Sequence, residues 1–307
     1  MQVKTEFSIK DLENLSGVKA HTIRIWEKRY NLLEPDRTDT NIRKYDLRHL
    51  KKLLNVAFLY NEGHKISKIA ELGESEIQNL IKEQSERQKE IYAIQSFKQA
   101  MFAFDSQLFS ATYKKLTAEQ PFNEIFFQVF LPLLEEIGLL WQTGTIDPAH
   151  ERFISELIKQ KIIIHIEEAQ SERKTAGPTL FTLYLPYGEI HEIGLLYANY
   201  EILRAGFKTI YLGANIPLDN LKHIRSHHDD VIFLSYFTVT PERGALEDYL
   251  TNYQNEICGK TPCEIWLMGQ QAQALDKKSL AKNRNVSIIS SINQLTSKLE
   301  SLKISQI

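Results

Sequence analysis

The sequence predicts a multidomain chain of mixed class. It is all-α over its first half, and α/β over its last part, which closes on a doubly wound parallel sheet of five strands. Three observations predict this. A length of 307 residues is too great for one small domain. Up to about residue 174 apolar residues mostly recur at helical spacing, and from Pro178 onward short β-rich runs alternate with helical ones. Charge is uneven: residues 19–52 hold ten Lys/Arg against five acids, in a chain whose net charge is −2.

Composition excludes several classes. At 43% hydrophobic and 25% charged the chain reads as an ordinary globular protein. No apolar run approaches the roughly 18 residues that span a bilayer. The first residues, MQVKTEFSIKDLENLSG, lack the apolar stretch of a signal peptide, so a cytoplasmic location with no membrane partner is expected. The two cysteines, Cys258 and Cys263, stand in CGKTPC. That spacing matches no strong metal or redox pattern, and both are read as reduced.

The first domain is assigned to residues 1–75. FSIKDLENLSGV gives a short helix capped by Ser8 with Asp11 three residues on, and Gly17 allows the turn that follows. KAHTIRIWEKRYNLL gives a second helix. Ile23, Trp26 and Tyr30 lie on one face, and His21, Thr22, Arg24, Lys28 and Arg29 on the other. Trp26 is assigned to the core; Tyr30 is left between core and surface. Two short helices joined by a glycine-containing turn make a helix-turn-helix, whose second helix enters the major groove. A hairpin or wing over Arg37–Tyr45 follows, with Ile42 expected on its buried side. A third helix then buries Leu47, Leu50, Leu54 and Phe58 and ends at Gly63. The local excess of Lys and Arg suits a polyanion partner.

This order, with IRIWEKRY, LLEPDR and RKYD in register, resembles the winged helix-turn-helix of the MerR family of transcription regulators. The resemblance implies a double-stranded DNA operator as partner. It also implies that Thr22, Arg24, Arg29, Arg37, Arg43 and Tyr45 touch DNA.

Residues 76–95 are expected to form a helical linker, within a stretch Glu74–Gln95 that reads as a helix or a helical linker and whose apolar residues are too sparse for a main dimer contact. Residues 96–174 read as a bundle of three or four helices, broken at Glu119–Pro121 and Gly144–Pro148. Its aromatic residues, Phe97 and Phe130 among them, are assigned to the core. His150, beside Pro148, is expected to face solvent.

Residues 175–307 alternate. Strands are read at TLFTLYL, KTIYLG, VIFLSYF, EIWLMG and VSIISS, with helices between them and a short one near Lys277–Asn283. This is the flavodoxin-like doubly wound arrangement, in which ligands bind beyond the carboxyl ends of the strands. GEIHEIG, Gly188–Gly194, lies at such an end.

The spacing Glu189-x-His191-x-x-Gly194 resembles the signature of cobalamin-binding domains. The resemblance implies that His191 coordinates cobalt and that Glu189 orients its other ring nitrogen, while Gly194 lets the helix start pack on the sheet. Two further marks are a serine at the third strand, matched by Ser235, and a glycine pair at the fourth. There Gly269 is followed by Gln270, whose side chain would crowd the buried nucleotide tail. The preceding bundle is similar to the cap over the corrin in light-sensing MerR-type repressors that use adenosylcobalamin. Trp141 and Glu151 keep the spacing of that cap, but Gln142 and Arg152 stand where a photosensor of that type has histidines.

The reading is therefore a DNA-binding regulator, a repressor by resemblance, that carries a cobalamin-type sensor for adenosylcobalamin or methylcobalamin and assembles as a homo-oligomer, dimer or tetramer. One alternative keeps the regulator and gives the sensor half to oligomerisation or another ligand. Another is a corrinoid-carrying methyltransfer module. No Ser/His/Asp triad, Walker loop or paired-carboxylate site is seen, so an enzyme is not expected.

Overall fold

In the computed structural model, residues 4–85, 88–171, 177–241, 245–258, 263–275 and 285–305 are described. The chain divides into two compact units, Met1–Ile158 and Lys159–Ile307.

The first unit begins with α1 (Ile9–Ser16) and α2 (Ala20–Tyr30). Ser8 and Asp11 cap α1 reciprocally, and Gly17 closes it at φ 72°. The hairpin β1 (Asp36–Arg37) and β2 (Arg43–Lys44) precedes α3 (Leu47–Asn61), which Asp46 caps through the His49 amide. Phe7 pairs with Tyr45, tying the start of the chain to the end of the wing. Leu12, Leu15, Ile23, Trp26, Leu50, Leu54 and Phe58 close the core between the three helices. Ile42, expected on the buried side, is 62% exposed. Each strand is only two residues long, too short to carry the hairpin tip back to the core.

Helix α4 (Ile66–Ile69) leads to α5 (Glu74–Ser85) and α6 (Lys89–Ala103). Over Glu74–Gln95, read as a helix or a helical linker, α5 ends at Ser85 and α6 starts at Lys89, and Gln88 at φ −130° and ψ 56° is outside helical geometry. The stretch is packed structure, because Ile77 and Ile81, four residues apart, are buried and α5 lies against α3. The bundle continues with α7 (Ser106–Thr117), α8 (Phe122–Ile125) and α9 (Leu131–Gln142). A π-helical turn, Phe126–Phe130, joins the last two. Pro132 follows directly, with no N–H to bond back to the preceding turn. The rings of Phe97, Phe109 and Phe130 meet at centroid distances of 4.6–6.3 Å and fill the centre. Helix α10 (Pro148–Ser171) contains the division between the units.

The second unit holds, among the described residues, a five-stranded parallel sheet: β3 (Leu180–Pro186), β4 (Lys208–Ile216), β5 (Val231–Tyr236), β6 (Glu264–Met268) and β7 (Val286–Ile288). Its order is β4-β3-β5-β6-β7. Helices α11 (Ile193–Arg204), α12 (Asn220–His227), α13 (Ala245–Tyr253), α14 (Gln270–Gln273) and α15 (Ile292–Ser305) cover it. β3 is buried throughout, which explains its unbroken apolar run. Phe181, Leu183, Leu195, Ile202 and Trp266 form the core on one face, and Tyr184, Phe233, Leu250, Tyr253 and Ile265 the core on the other. The helix expected near Lys277–Asn283 lies outside the described residues.

The order decides where a ligand can sit. β4 lies on one side of β3 and β5 on the other, so the chain reverses its winding at the carboxyl end of β3. A crevice forms where connections leave in opposite directions, and that is the usual ligand position in such sheets.

Candidate functional site

The loop Tyr187–Glu192 stands at this reversal, between β3 and α11. Gly188 takes φ 86°, a conformation that favours glycine, and its N–H donates to Asn215 Oδ1 at 2.8 Å. The next residue is the centre of the site. Glu189 is 1% exposed. Its Oε1 accepts the N–H of Ile190 at 2.9 Å and of His191 at 3.0 Å. Its Oε2 accepts the N–H groups of Thr238 (3.1 Å), Val239 (2.8 Å) and Thr240 (3.1 Å), on the loop after β5. One carboxylate thus ties together the two loops that flank the crevice. Burial alone pushes its pKa up. The donors from Val239, Thr240 and His191 outweigh burial and hold it at about 2.

An ionised carboxylate only accepts hydrogen bonds. His191 Nδ1, 2.5 Å from Glu189 Oε1, therefore carries the proton. Neutral His191 then offers its lone pair at Nε2, on a ring that is 53% exposed. A fixed tautomer, a held ring and an open nitrogen are what a metal ligand needs. Cobalt accepts neutral imidazole, so the donor set fits a cobalt-bearing group.

The two glycines have separate reasons. A Cβ on Gly194 would come within 2.8 Å of the Tyr236 ring, so α11 can start this close to β5 only without a side chain. Gly269 has φ 93°, and a Cβ there would lie 2.7 Å from the carbonyl carbon of Phe237 and 2.9 Å from its nitrogen. The Phe237 N–H donates to Met268 O, and the Gln271 N–H to Phe237 O, so this backbone is fixed from both sides. Ser235 is fully buried and donates to Tyr184 O at 2.9 Å, joining β5 to β3 just below the crevice. Gln270 is exposed at the first position of α14.

In the first unit, Trp141 at the end of α9 is 56% exposed. Glu151, in the first turn of α10, accepts from Ser155 Oγ at 2.9 Å. His150 corrects the sequence expectation. It is buried, stacked 5.0 Å from the Phe104 ring and with the tilted Phe102 ring at 5.1 Å, and burial lowers its pKa. Its helical neighbours are exposed, but its own position turns inward against α6.

The wing residues divide. Arg24 and Arg29 are exposed on α2, and Thr22 is half-buried. Arg37 is exposed on β1 and donates to Asn41 Oδ1 at 2.7 Å. Arg43 donates from Nε to Glu27 Oε2 at 2.9 Å. Tyr45, implied as a DNA contact, is 0% exposed and donates its hydroxyl to Glu27 Oε1. It is a core residue. The acceptor on α2 and the Phe7 pairing on the other side draw the ring inward, and burial pushes its pKa up. Glu27 thus fixes the wing to α2. The sequence alone does not single it out, nor the Thr238–Thr240 amides, since a backbone N–H leaves no trace in residue identity.

Residues 7–76 match the MerR HTH family regulatory protein domain, and residues 93–164 the B12 binding domain. The chain is 28% identical over 277 residues to the HTH-type transcriptional repressor CarH of Myxococcus xanthus, covering 87% of this chain and 90% of that one. It is 27% identical over 248 residues to the HTH-type transcriptional repressor CarA of the same organism, covering 79% and 81%. The monomethylamine corrinoid protein of Methanosarcina barkeri superposes with a TM-score of 0.55 at 15% identity, over 67% of this chain and 96% of that one, a likeness of fold. The chain therefore joins a MerR-type helix-turn-helix to a B12-binding domain and is homologous to CarH and CarA. The sheet and its flanking helices have the fold of corrinoid proteins. Among the described residues no helix is long and apolar enough to cross a membrane.

Proposed function

We propose that the protein is a DNA-binding transcriptional repressor whose carboxyl-terminal half senses cobalamin, with His191 as the residue that would hold its cobalt. The single observation that carries the sensor reading is the Glu189–His191 pair at the winding reversal. The buried carboxylate fixes the Nδ1–H tautomer and leaves Nε2 as the ligating atom. Ser235, Gly194 and Gly269 keep the strand ends and helix starts close-packed around it. We assign Trp141 and Glu151 of the bundle to the same cofactor. When bound, cobalamin would supply a cobalt centre that accepts the His191 imidazole. Gln142 and Arg152 argue for a response to the cofactor itself rather than to light.

On the DNA side, Arg24 and Arg29 of α2 and Arg37 of the wing are the proposed contacts, with Thr22 at the edge. Arg43 positions the wing through Glu27 and reaches the backbone only with what remains exposed. Two half-sites call for two copies, so the active form is a homo-oligomer.

The test is direct. Purified protein incubated with cobalamin should retain a visible spectrum through gel filtration, and His191→Ala should lose the imidazole-ligated spectrum while keeping its helical circular dichroism. Wild-type protein that takes up no cobalamin at micromolar concentration would sink the sensor reading and leave the DNA-binding reading intact.

A further inference from the structure

The two cysteines lie apart from the site described. Cys258 ends a π-helical segment, Gln254–Cys258, that extends α13, and Cys263 immediately precedes β6. Both are buried in the apolar cluster on one face of the sheet. Their sulfurs are 3.1 Å apart. A disulfide needs about 2.05 Å, so closing the bond takes a movement of about 1 Å. Polar groups surround the pair. Asn285 Nδ2 donates to Cys258 Sγ at 3.4 Å and to Cys263 O at 2.7 Å. The Tyr253 hydroxyl lies 3.0 Å from Cys263 Sγ.

We propose that Cys258 and Cys263 form a reactive dithiol that a small peroxide oxidises to an intramolecular disulfide, with Cys258 as the attacking sulfur and Cys263 as the resolving one. The roles follow from the hydrogen bonds. Cys258 Sγ receives the Asn285 amide, a donor that favours its thiolate, and lies against Cys263 Sγ, where either sulfur can donate. The Cys263 hydrogen bond lowers the Cys258 pKa to about 7 against the opposing effect of burial, while that same bond and burial push Cys263 up.

In the first step the Cys258 thiolate attacks one peroxide oxygen. The O–O bond breaks, one oxygen leaves as hydroxide and takes up a proton as water, and Cys258 becomes a sulfenic acid. In the second step Cys263 Sγ loses its proton and attacks Cys258 Sγ. The S–O bond breaks, and that oxygen leaves as the second water. Two thiols lose two electrons in all, and one peroxide gains them. Burial sets the oxidant class, since hydrogen peroxide can reach sulfurs that a bulky disulfide such as oxidised glutathione cannot.

The full-length protein under native conditions tests this without any cobalamin. Hydrogen peroxide should remove both titratable thiols, lower the intact mass by two hydrogens and leave the chain monomeric on a non-reducing gel, and dithiothreitol should restore it. Oxidised glutathione at the same concentration should react at least tenfold more slowly. Cys263→Ser should stop at a sulfenic acid on Cys258 that dimedone captures, and Cys258→Ser should give no adduct. Two free thiols after excess peroxide, added oxygen without loss of two hydrogens, disulfide-linked dimers, or an adduct only in Cys258→Ser would each overturn the proposal. The wild-type mass decides alone if either variant fails to fold.

Discussion

Replacing Glu189 with Gln isolates the group on which the site depends. The side chains have almost the same shape, so the change removes charge and acceptors without opening a cavity. Whichever way the amide is turned, its NH2 meets donors: His191 Nδ1 with two backbone N–H groups on one side, three backbone N–H groups on the other. Holding the carboxyl at about 2, from an ordinary 4.5, corresponds to about 3 kcal/mol in favour of the ionised folded state. The amide adds a donor–donor conflict, so a loss on the order of 3 kcal/mol is expected at pH 7. The sign over pH is fixed. A carboxylate with a depressed folded pKa stabilises above its unfolded value near 4.5 and loses that contribution as pH falls toward 2. The gap between parent and variant should therefore narrow over that window. Urea unfolding followed by Trp266 fluorescence, in a Trp26→Phe, Trp141→Phe background, reports this unit alone. A gap under about 1 kcal/mol at pH 7, or one that does not narrow in acid, would refute the reasoning.

Four further outcomes are expected. Gly269→Ala should destabilise the α/β unit by on the order of 2–5 kcal/mol, because strain at φ 93° and the collision with Phe237 act together, and thermal unfolding will measure it. Arg24→Ala should cost on the order of 1–3 kcal/mol in operator affinity. Tyr45→Phe should instead lower folding stability by about 1–2 kcal/mol and leave the salt dependence of DNA binding unchanged, which a paired salt titration and melt will separate. His150, held neutral by burial between Phe102 and Phe104, should make the first unit lose stability as pH falls below about 6.5. His150→Phe should remove that dependence in melts at pH 7.5 and 5.5.

Much of the fold is legible locally. The Ser8–Asp11 cap, the turn at Gly17, the α2 face carrying Arg24 and Arg29, and the alternation after Pro178 depend on residues close in the chain, where periodicity and capping chemistry act. So does Glu189-x-His191, since a carboxylate two residues from an imidazole can reach its Nδ1 within one loop. What only the tertiary structure decided involves partners far apart in sequence. The sequence places Tyr45 on the wing surface, and Glu27 on another element draws it into the core. The sequence places His150 in solvent, and the Phe102 and Phe104 rings at the end of α6 enclose it. Glu74–Gln95 reads as a helix or a helical linker, and only the structure shows that α5 within it packs on α3. The low pKa of Glu189 needs the amides of Thr238–Thr240, about fifty residues on, brought alongside only because β5 pairs with β3. Side-chain type sets what a residue can do. Which donors and acceptors it meets is set by strand order and helix packing, and no local pattern encodes a neighbour supplied by another element's backbone.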